Sequence, residues 1–302
     1  MSLIHKLTPL AWSNRLSRSV TRKAVDLAYL ARHHRGAKST KRLDPTLAVS
    51  AALAPLVRYR AEYEHLDGWL RTEAAATWSC LFALQEERGI RGDLMEIGIF
   101  KGKSAALIAL HAGPDEKVVL VDPMLRREAT DAIQDIHIPG EVVFVRDFSE
   151  NLAGHQQVVS GIGRFRWIHV DGEHSLRAVS NDLRISARLL ADDGVICLDD
   201  FMGSCYPQVT IAALRFLERL EGEFSLFLSG FNKGYICRTA AARPYLEYLR
   251  DRLLDDLEQR DIREVMVCKT TDPDELNCFG LVPRKRQFRY RGPDWAPDRI
   301  RI

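Results

Sequence analysis

The chain has 302 residues, 46% hydrophobic, 28% charged and 8% aromatic, a globular composition that excludes collagen-like, coiled-coil and wholly disordered chains. No apolar run approaches the ~18 residues of a membrane span, and the opening MSLIHKLTPLAWSNRL lacks the apolar core of a secretory signal, so a cytoplasmic location is expected. The net charge of +2 hides a segregation into +9 over residues 1–42, −12 over 43–283 and +5 over 284–302, which is not the pattern of a uniformly basic nucleic-acid binder.

In chain order, residues 10–35 place Trp12, Leu16, Val20, Ala24 and Leu27 at three- and four-residue spacing, one apolar stripe on a basic helix. A second helical stretch is predicted near 46–64, broken or kinked at Pro55. A third, WLRTEAAATWSCLFALQEERG, is rich in helix formers and ends at Gly89. From residue 93 the texture changes to strand–helix alternation. The predicted pairs are DLMEIGIF with Ser104–His111, KVVLVD with Met124–Ile136, EVVFVRD with Glu150–Ser160, FRWIHVD with Ser175–Leu190, and GVICLDD with Pro207–Leu220. Such repeats build a parallel sheet covered on both faces. FSLFLSG and NKGYICR then read as an antiparallel hairpin at the sheet edge. A helix over Pro244–Glu258, a possible strand REVMVC and a basic tail complete the chain.

Six cysteines form no C-x-x-C pair, so a zinc site has no support and reduced core thiols are expected. Ligands of doubly wound sheets bind at the carboxyl ends of the strands, and there the informative residues stand. After the first strand, Glu96, Gly98, Gly102 and Ser104 form a loop that lets backbone approach a ligand at a helix N-terminus. The alternative is a tight turn without a ligand. The loop has neither G-x-G-x-x-G nor G-K-[ST], which disfavours NAD(P) and ATP. Asp122, ending the second strand, suits ribose hydroxyls or a helix cap. Asp147, Phe148 and Ser149 could border an adenine ring or cap the next helix. Asp171 and His174 follow the fourth strand, and Asp199 and Asp200 end the fifth. Three converging carboxylates suit Mg²⁺, although Asp171 could also belong to a helix N-terminal turn. His174, beside them, suits a general base or a capping role. His169, inside a strand, is expected to be packed.

E-x-G-x-x-x-G-x-S at Glu96–Ser104, the acid 26 residues after Glu96 at Asp122, D-G-x-H at Asp171–His174 and L-D-D-F at Leu198–Phe201 resemble class I S-adenosylmethionine-dependent O-methyltransferases. The spacing is similar to the metal site of the catechol O-methyltransferase group. VDGEHSLRAVSNDL and LLADDGVICLDDF, with FNKGYIC after them, look closer to the bacterial sugar O-methyltransferases of the macrocin and mycinamicin type. The resemblance covers about 93–238. It implies a Rossmann-like class I methyltransferase sheet, five parallel strands plus an antiparallel edge pair, to which the residue pattern adds a helical N-terminal extension. It does not cover 1–70 or 241–302, and the residues themselves divide the chain into a basic helical extension over 1–70, the methyltransferase domain over 71–240, and a C-terminal helix and basic tail over 241–302.

Carried onto this sequence, the resemblance gives Glu96, Gly98, Gly102 and Ser104 to the methionine part of S-adenosyl-L-methionine, Asp122 to its ribose, and Asp147 and Ser149 to its adenine. It gives Asp171, Asp199 and Asp200 to Mg²⁺ or Mn²⁺ and makes His174, with Asp171, catalytic. VRDFSE stands where many relatives carry a Gly-Asp-Ser type sequence. The implied reaction is metal-assisted methyl transfer to a hydroxyl of a vicinal diol, on a sugar or glycosylated natural product. The alternatives are a phenol or catechol acceptor and a catalytically silent methyltransferase-like subunit. An RNA substrate is set aside, because an acidic pocket repels phosphates. The expected partners are a small-molecule or glycan substrate, no nucleic acid, and a second copy of the chain. The basic N-terminal stripe also leaves membrane contact open.

Overall fold

The computed structural model describes residues 51–268 and 278–284. The amphipathic stretch over 10–35 and the basic tail lie outside them. Two helices come first, α1 (Ala54–Glu62) and α2 (Thr72–Glu87). Pro55 sits in the first turn of α1, not at a break within it, because a missing N–H costs nothing where no intrahelical partner exists. Leu56 and Tyr59 of α1 are buried in the same core as Trp78 and Phe82 of α2.

The alternating region then folds as β1 (Asp93–Ile97), α3 (Lys103–Leu110), β2 (Lys117–Val121), α4 (Arg127–Gln134), β3 (Glu141–Val145), a 3₁₀ turn (Ser149–Gly154), α5 (Gln156–Val159), β4 (Phe165–Val170), α6 (Leu176–Leu189), β5 (Leu190–Asp199) and α7 (Pro207–Arg219). The single helix predicted over Glu150–Ser160 is split. His155 is extended, with φ −93° and ψ 108°, and its ring reaches back to Asp147 at 2.9 Å. After α7 come β6 (Phe224–Gly230), β7 (Lys233–Arg238), α8 (Thr239–Asp251), α9 (Leu253–Gln259), β8 (Val265–Cys268) and β9 (Phe279–Pro283). The predicted Pro244–Glu258 helix therefore begins earlier, at Thr239, holds Pro244 inside it and breaks at Arg252.

The strands form one sheet in the order β3-β2-β1-β4-β5-β7-β6-β9-β8. Pairing is parallel from β3 to β5, and β7 is antiparallel to both β5 and β6. The β6–β7 hairpin does not lie at the edge. Strand β9 adds parallel to β6, pairing Leu228 with Phe279 and Gly230 with Leu281, and β8 closes the end. Phe279 and Leu281 are buried, so this addition covers apolar side chains as well as an unpaired strand edge. One core lies between the sheet and α1, α2, α3, α8 and α9, the other between the sheet and α6 and α7. Strand β4 is buried at all six positions, as a parallel strand covered on both faces must be. Among the described residues, no helix is long and apolar enough to cross a membrane, and the cysteines are free thiols, with Cys80, Cys197 and Cys237 buried.

Candidate active site

The sheet twist and parallel order bring the carboxyl ends of β1, β4 and β5 side by side, and the predicted residues stand there. Gly98 follows β1 at φ +86°. A Cβ on it would overlap the carbonyl oxygen of Asp171, whose own N–H donates to Ile97 O at 2.8 Å. This glycine lets the β1 and β4 loops touch. Gly102, also at φ +86°, is the left-handed N-cap of α3. Gly98, Ser104, Asp171 and Asp199 line a common cleft with Leu70, Ile99, Phe100 and the exposed Trp69.

Asp122 holds this loop in place. Its Oδ2 accepts the N–H groups of Ile99 and Phe100, both at 3.1 Å, and its Oδ1 accepts that of Met124 at 2.7 Å. Asp147 does similar work after β3. It accepts from Phe148 N at 2.8 Å and Asn151 Nδ2 at 2.7 Å, and contacts His155 Nε2 at 2.9 Å. Asn151, His155 and the backbone together hold its carboxyl below the ordinary aspartate range. Ser149 opens the 3₁₀ turn, and Phe148 beside it is 59% exposed.

The acidic centre is organised differently from a simple carboxylate triad. Asp200, at φ +52°, turns outward. Its Oδ1 accepts from Asn232 Nδ2 at 2.5 Å, and its Oδ2 lies 2.8 Å from His174 Nε2. His174 Nε2 is also 3.6 Å from Asp171, and its ring stacks on Tyr206 at 4.2 Å. The neighbouring carboxylates, Asp171 first, raise the His174 pKa despite partial burial. Asp199 turns inward. Its Oδ1 accepts from Asp200 N at 2.7 Å and from the buried ammonium of Lys233. Its Oδ2 is 3.7 Å from His169 Nε2. His169 Nδ1 lies 2.6 Å from Glu96 Oε1.

Burial favours the uncharged forms here, yet the paired groups stay charged. His169 is pushed up to about 9 because Asp199 and Glu96 outweigh its desolvation. Asp199 is held well below the carboxylate range by His169 and Lys233, against its burial. Asp171 rises to about 6, from burial and the charge of Asp199. Asp171 is thus shared by two clusters whose ligand atoms lie within 4.8 Å of one another, His169–Asp171–Asp199 and Asp171–His174–Asp200.

The sequence reading missed Lys233 and gave His169 no role beyond packing. Lys233 becomes visible only through register: β5 and β7 pair Asp199 with Lys233. The signal for His169 was an imidazole two residues before Asp171, on the same face of a fully buried strand.

Residues 95–201 match a family model described as a methyltransferase domain. No curated protein matches the sequence. Among solved structures the chain resembles the O-methyltransferase NovP, with a TM-score of 0.45 and 14% identity over 55% of this chain and 80% of that one. It also resembles cofactor-bound Rv0187 from MTB, at 0.42 and 19% identity over 64% and 90%. A third is the O-methyltransferase TomG from Streptomyces achromogenes in complex with SAM, at 0.41 and 15% identity over 70% and 94%. At such low TM-scores the class rests on the sheet order and the family model. Together these mark residues 95–201 as resembling a methyltransferase domain. The matched segment runs from within β1 to just past β5 and contains every predicted site residue.

Proposed function

We propose that this chain is an S-adenosylmethionine-dependent O-methyltransferase. Its acceptor is a small molecule or glycan with adjacent hydroxyls, and a divalent cation assists. The observation that carries this reading is the convergence of Asp171, His174, Asp199 and Asp200 beside the Gly98 loop, at the carboxyl ends of β1, β4 and β5. The residues fit both groups. Gly98 leaves a cradle that a side chain would fill, and Glu96 Oε2 is a buried acceptor without a partner beneath it. For a cation, the carboxylate and imidazole donors supply two sets of three.

In this reading Glu96, Gly98, Gly102 and Ser104 face the methionine portion. Asp122 faces the ribose with the acceptor capacity that its three backbone contacts leave. Asp147 and Ser149 border the adenine, Asp147 by shaping the loop that presents Phe148. When bound, S-adenosylmethionine supplies an electrophilic methyl with a neutral thioether leaving group. The resemblance gave the cation to Asp171, Asp199 and Asp200; with Asp200 turned to Asn232 and His174, a cation would be held at Asp171 and Asp199 and would supply orientation and acidity to the acceptor hydroxyls. His174 receives the proton, and Asp171 and Asp200, which face its Nε2, stabilise the resulting imidazolium. Tyr206 keeps the ring in plane by stacking. Lys233 and the Asp200 N–H hold Asp199 in one orientation, which limits the reorganisation the site undergoes during reaction.

The test is calorimetry with S-adenosylhomocysteine, followed by methyl transfer to model diols in chelator and with Mg²⁺ or Mn²⁺ restored. Cofactor binding with cation-dependent turnover is expected. Cofactor binding without turnover on any diol, sugar or catechol would favour a silent subunit. Failure to bind the cofactor would end the reading.

A further inference from the structure

We propose that the cation of this site is held by an imidazole nitrogen as well as by carboxylates. The donors are His169 Nε2, Asp199 Oδ2 and the Asp171 carboxylate, a set that selects ions such as Mn²⁺ and Co²⁺ over Mg²⁺. The proposal rests on the methyltransferase reading for the presence of a cation and concerns which of this chain's atoms hold it.

His169 and Asp199 each have one free atom, and their other polar atom is committed. His169 is fully buried in β4, and its Nδ1 is tied to Glu96 Oε1 at 2.6 Å. The edge of Trp78 packs against the ring at 4.6 Å and fixes its plane. Nε2 has no hydrogen-bond partner and points towards Asp199 Oδ2 at 3.7 Å. An imidazole that gives one N–H to a carboxylate and leaves the other nitrogen free is the usual arrangement of a metal-bound histidine. Asp199 mirrors it: Oδ1 is taken by Lys233 and the Asp200 N–H, so Oδ2 is what remains. Asp171 lines the cleft, where water or acceptor can complete the coordination.

Charge balances as well. Glu96 and Lys233 cancel outside the donor set, and two carboxylates with an imidazole that gives up its Nε2 proton to the ion match a divalent charge. Asp200, the third member of an all-carboxylate set, is turned away and engaged by Asn232 and His174. Nitrogen donors favour the later first-row ions, whereas Mg²⁺ prefers oxygen and keeps its water.

The full-length protein, stripped with chelator, is titrated with MnCl₂, CoCl₂ and MgCl₂ by calorimetry. The Mn²⁺ form is examined by pulsed electron paramagnetic resonance for ¹⁴N coupling. We expect Mn²⁺ to bind at least about tenfold more tightly than Mg²⁺. We expect ¹⁴N coupling that survives in His174→Ala and disappears in His169→Phe. If His169→Phe does not fold, the signal in His174→Ala decides alone, because His169 is then the histidine left within reach. Equal affinities with no ¹⁴N coupling overturn the proposal, and so does coupling lost in His174→Ala, which places the ion in the outer cluster. S-Adenosylhomocysteine binding on the same preparation separates the two failures. Binding without nitrogen coupling sinks this proposal only, whereas no binding sinks the methyltransferase reading.

Discussion

Gly98 and His174 show how a single position can serve shape or chemistry. Gly98→Ala adds a Cβ to a residue at φ +86° that already touches the Asp171 carbonyl. Left-handed strain and overlap should together cost about 2–4 kcal/mol of stability. The loop that carries Asp171 must move, so cofactor affinity should fall with it. Denaturant unfolding and calorimetry on one preparation check both, and unchanged affinity would detach Gly98 from the cofactor. His174→Ala removes no core packing, because the ring is partly exposed beside Tyr206. Turnover should drop by ~10²–10⁴-fold, the range for general acid–base catalysis, while cofactor binding persists. A loss smaller than fivefold, on the order of 1 kcal/mol, would remove His174 from the proton-transfer step.

Between elements, the amino ends of the strands are joined by a buried polar network centred on Arg166 of β4. Its guanidinium donates to both Glu116 oxygens at 2.7 Å, to Gln85 Oε1 of α2 at 2.9 Å and to His111 O at 2.8 Å. Gln85 in turn donates to Tyr245 of α8. Breaking a buried pair on one side strands the other charge, so Arg166→Met should destabilise by ~3–5 kcal/mol. A change below 1 kcal/mol, on the order of a surface pair, would show that the network contributes little. Glu116 is held below the usual glutamate range: Arg166 and the backbone N–H groups of Gly113 and Gly92 outweigh its burial. A depressed carboxylate contributes stability above its unfolded pKa, roughly 4.3, and loses that stability as pH falls through the folded value. The acid limb of a stability–pH curve should therefore be shallower in Glu116→Gln than in the parent. Little of this network was legible beforehand, because Arg166 sits in the strand motif FRWIHVD as if it were an ordinary alternating polar residue. Only the sheet order places α2 and the β1–β2 connection around it.

Across the whole molecule, charge is distributed so that a +9 segment precedes an acidic body. Opposite charge of this size favours association of the segment with the body or with a second copy. Deleting residues 1–42 should reduce oligomer size or substrate affinity and leave cofactor binding intact, as read by light scattering and kinetics. Unchanged mass and kinetics with loss of liposome binding would instead favour the membrane reading. The alternation of apolar runs with amphipathic stretches was enough to determine the parallel sheet, its covering helices and the residues at each strand end, because periodicity is a local property and chemistry follows strand termini in this fold. Tertiary structure decided what depends on register and on partners distant in sequence. It moved the β6–β7 hairpin away from the edge by adding β9 to it. It set Lys233 against Asp199 and aimed His169 at the same carboxylate. It turned Asp200 outward to His174, dividing a row of acids into two clusters that share Asp171. Those relations join side chains 26 to 73 residues apart, and no local pattern records which of them will meet.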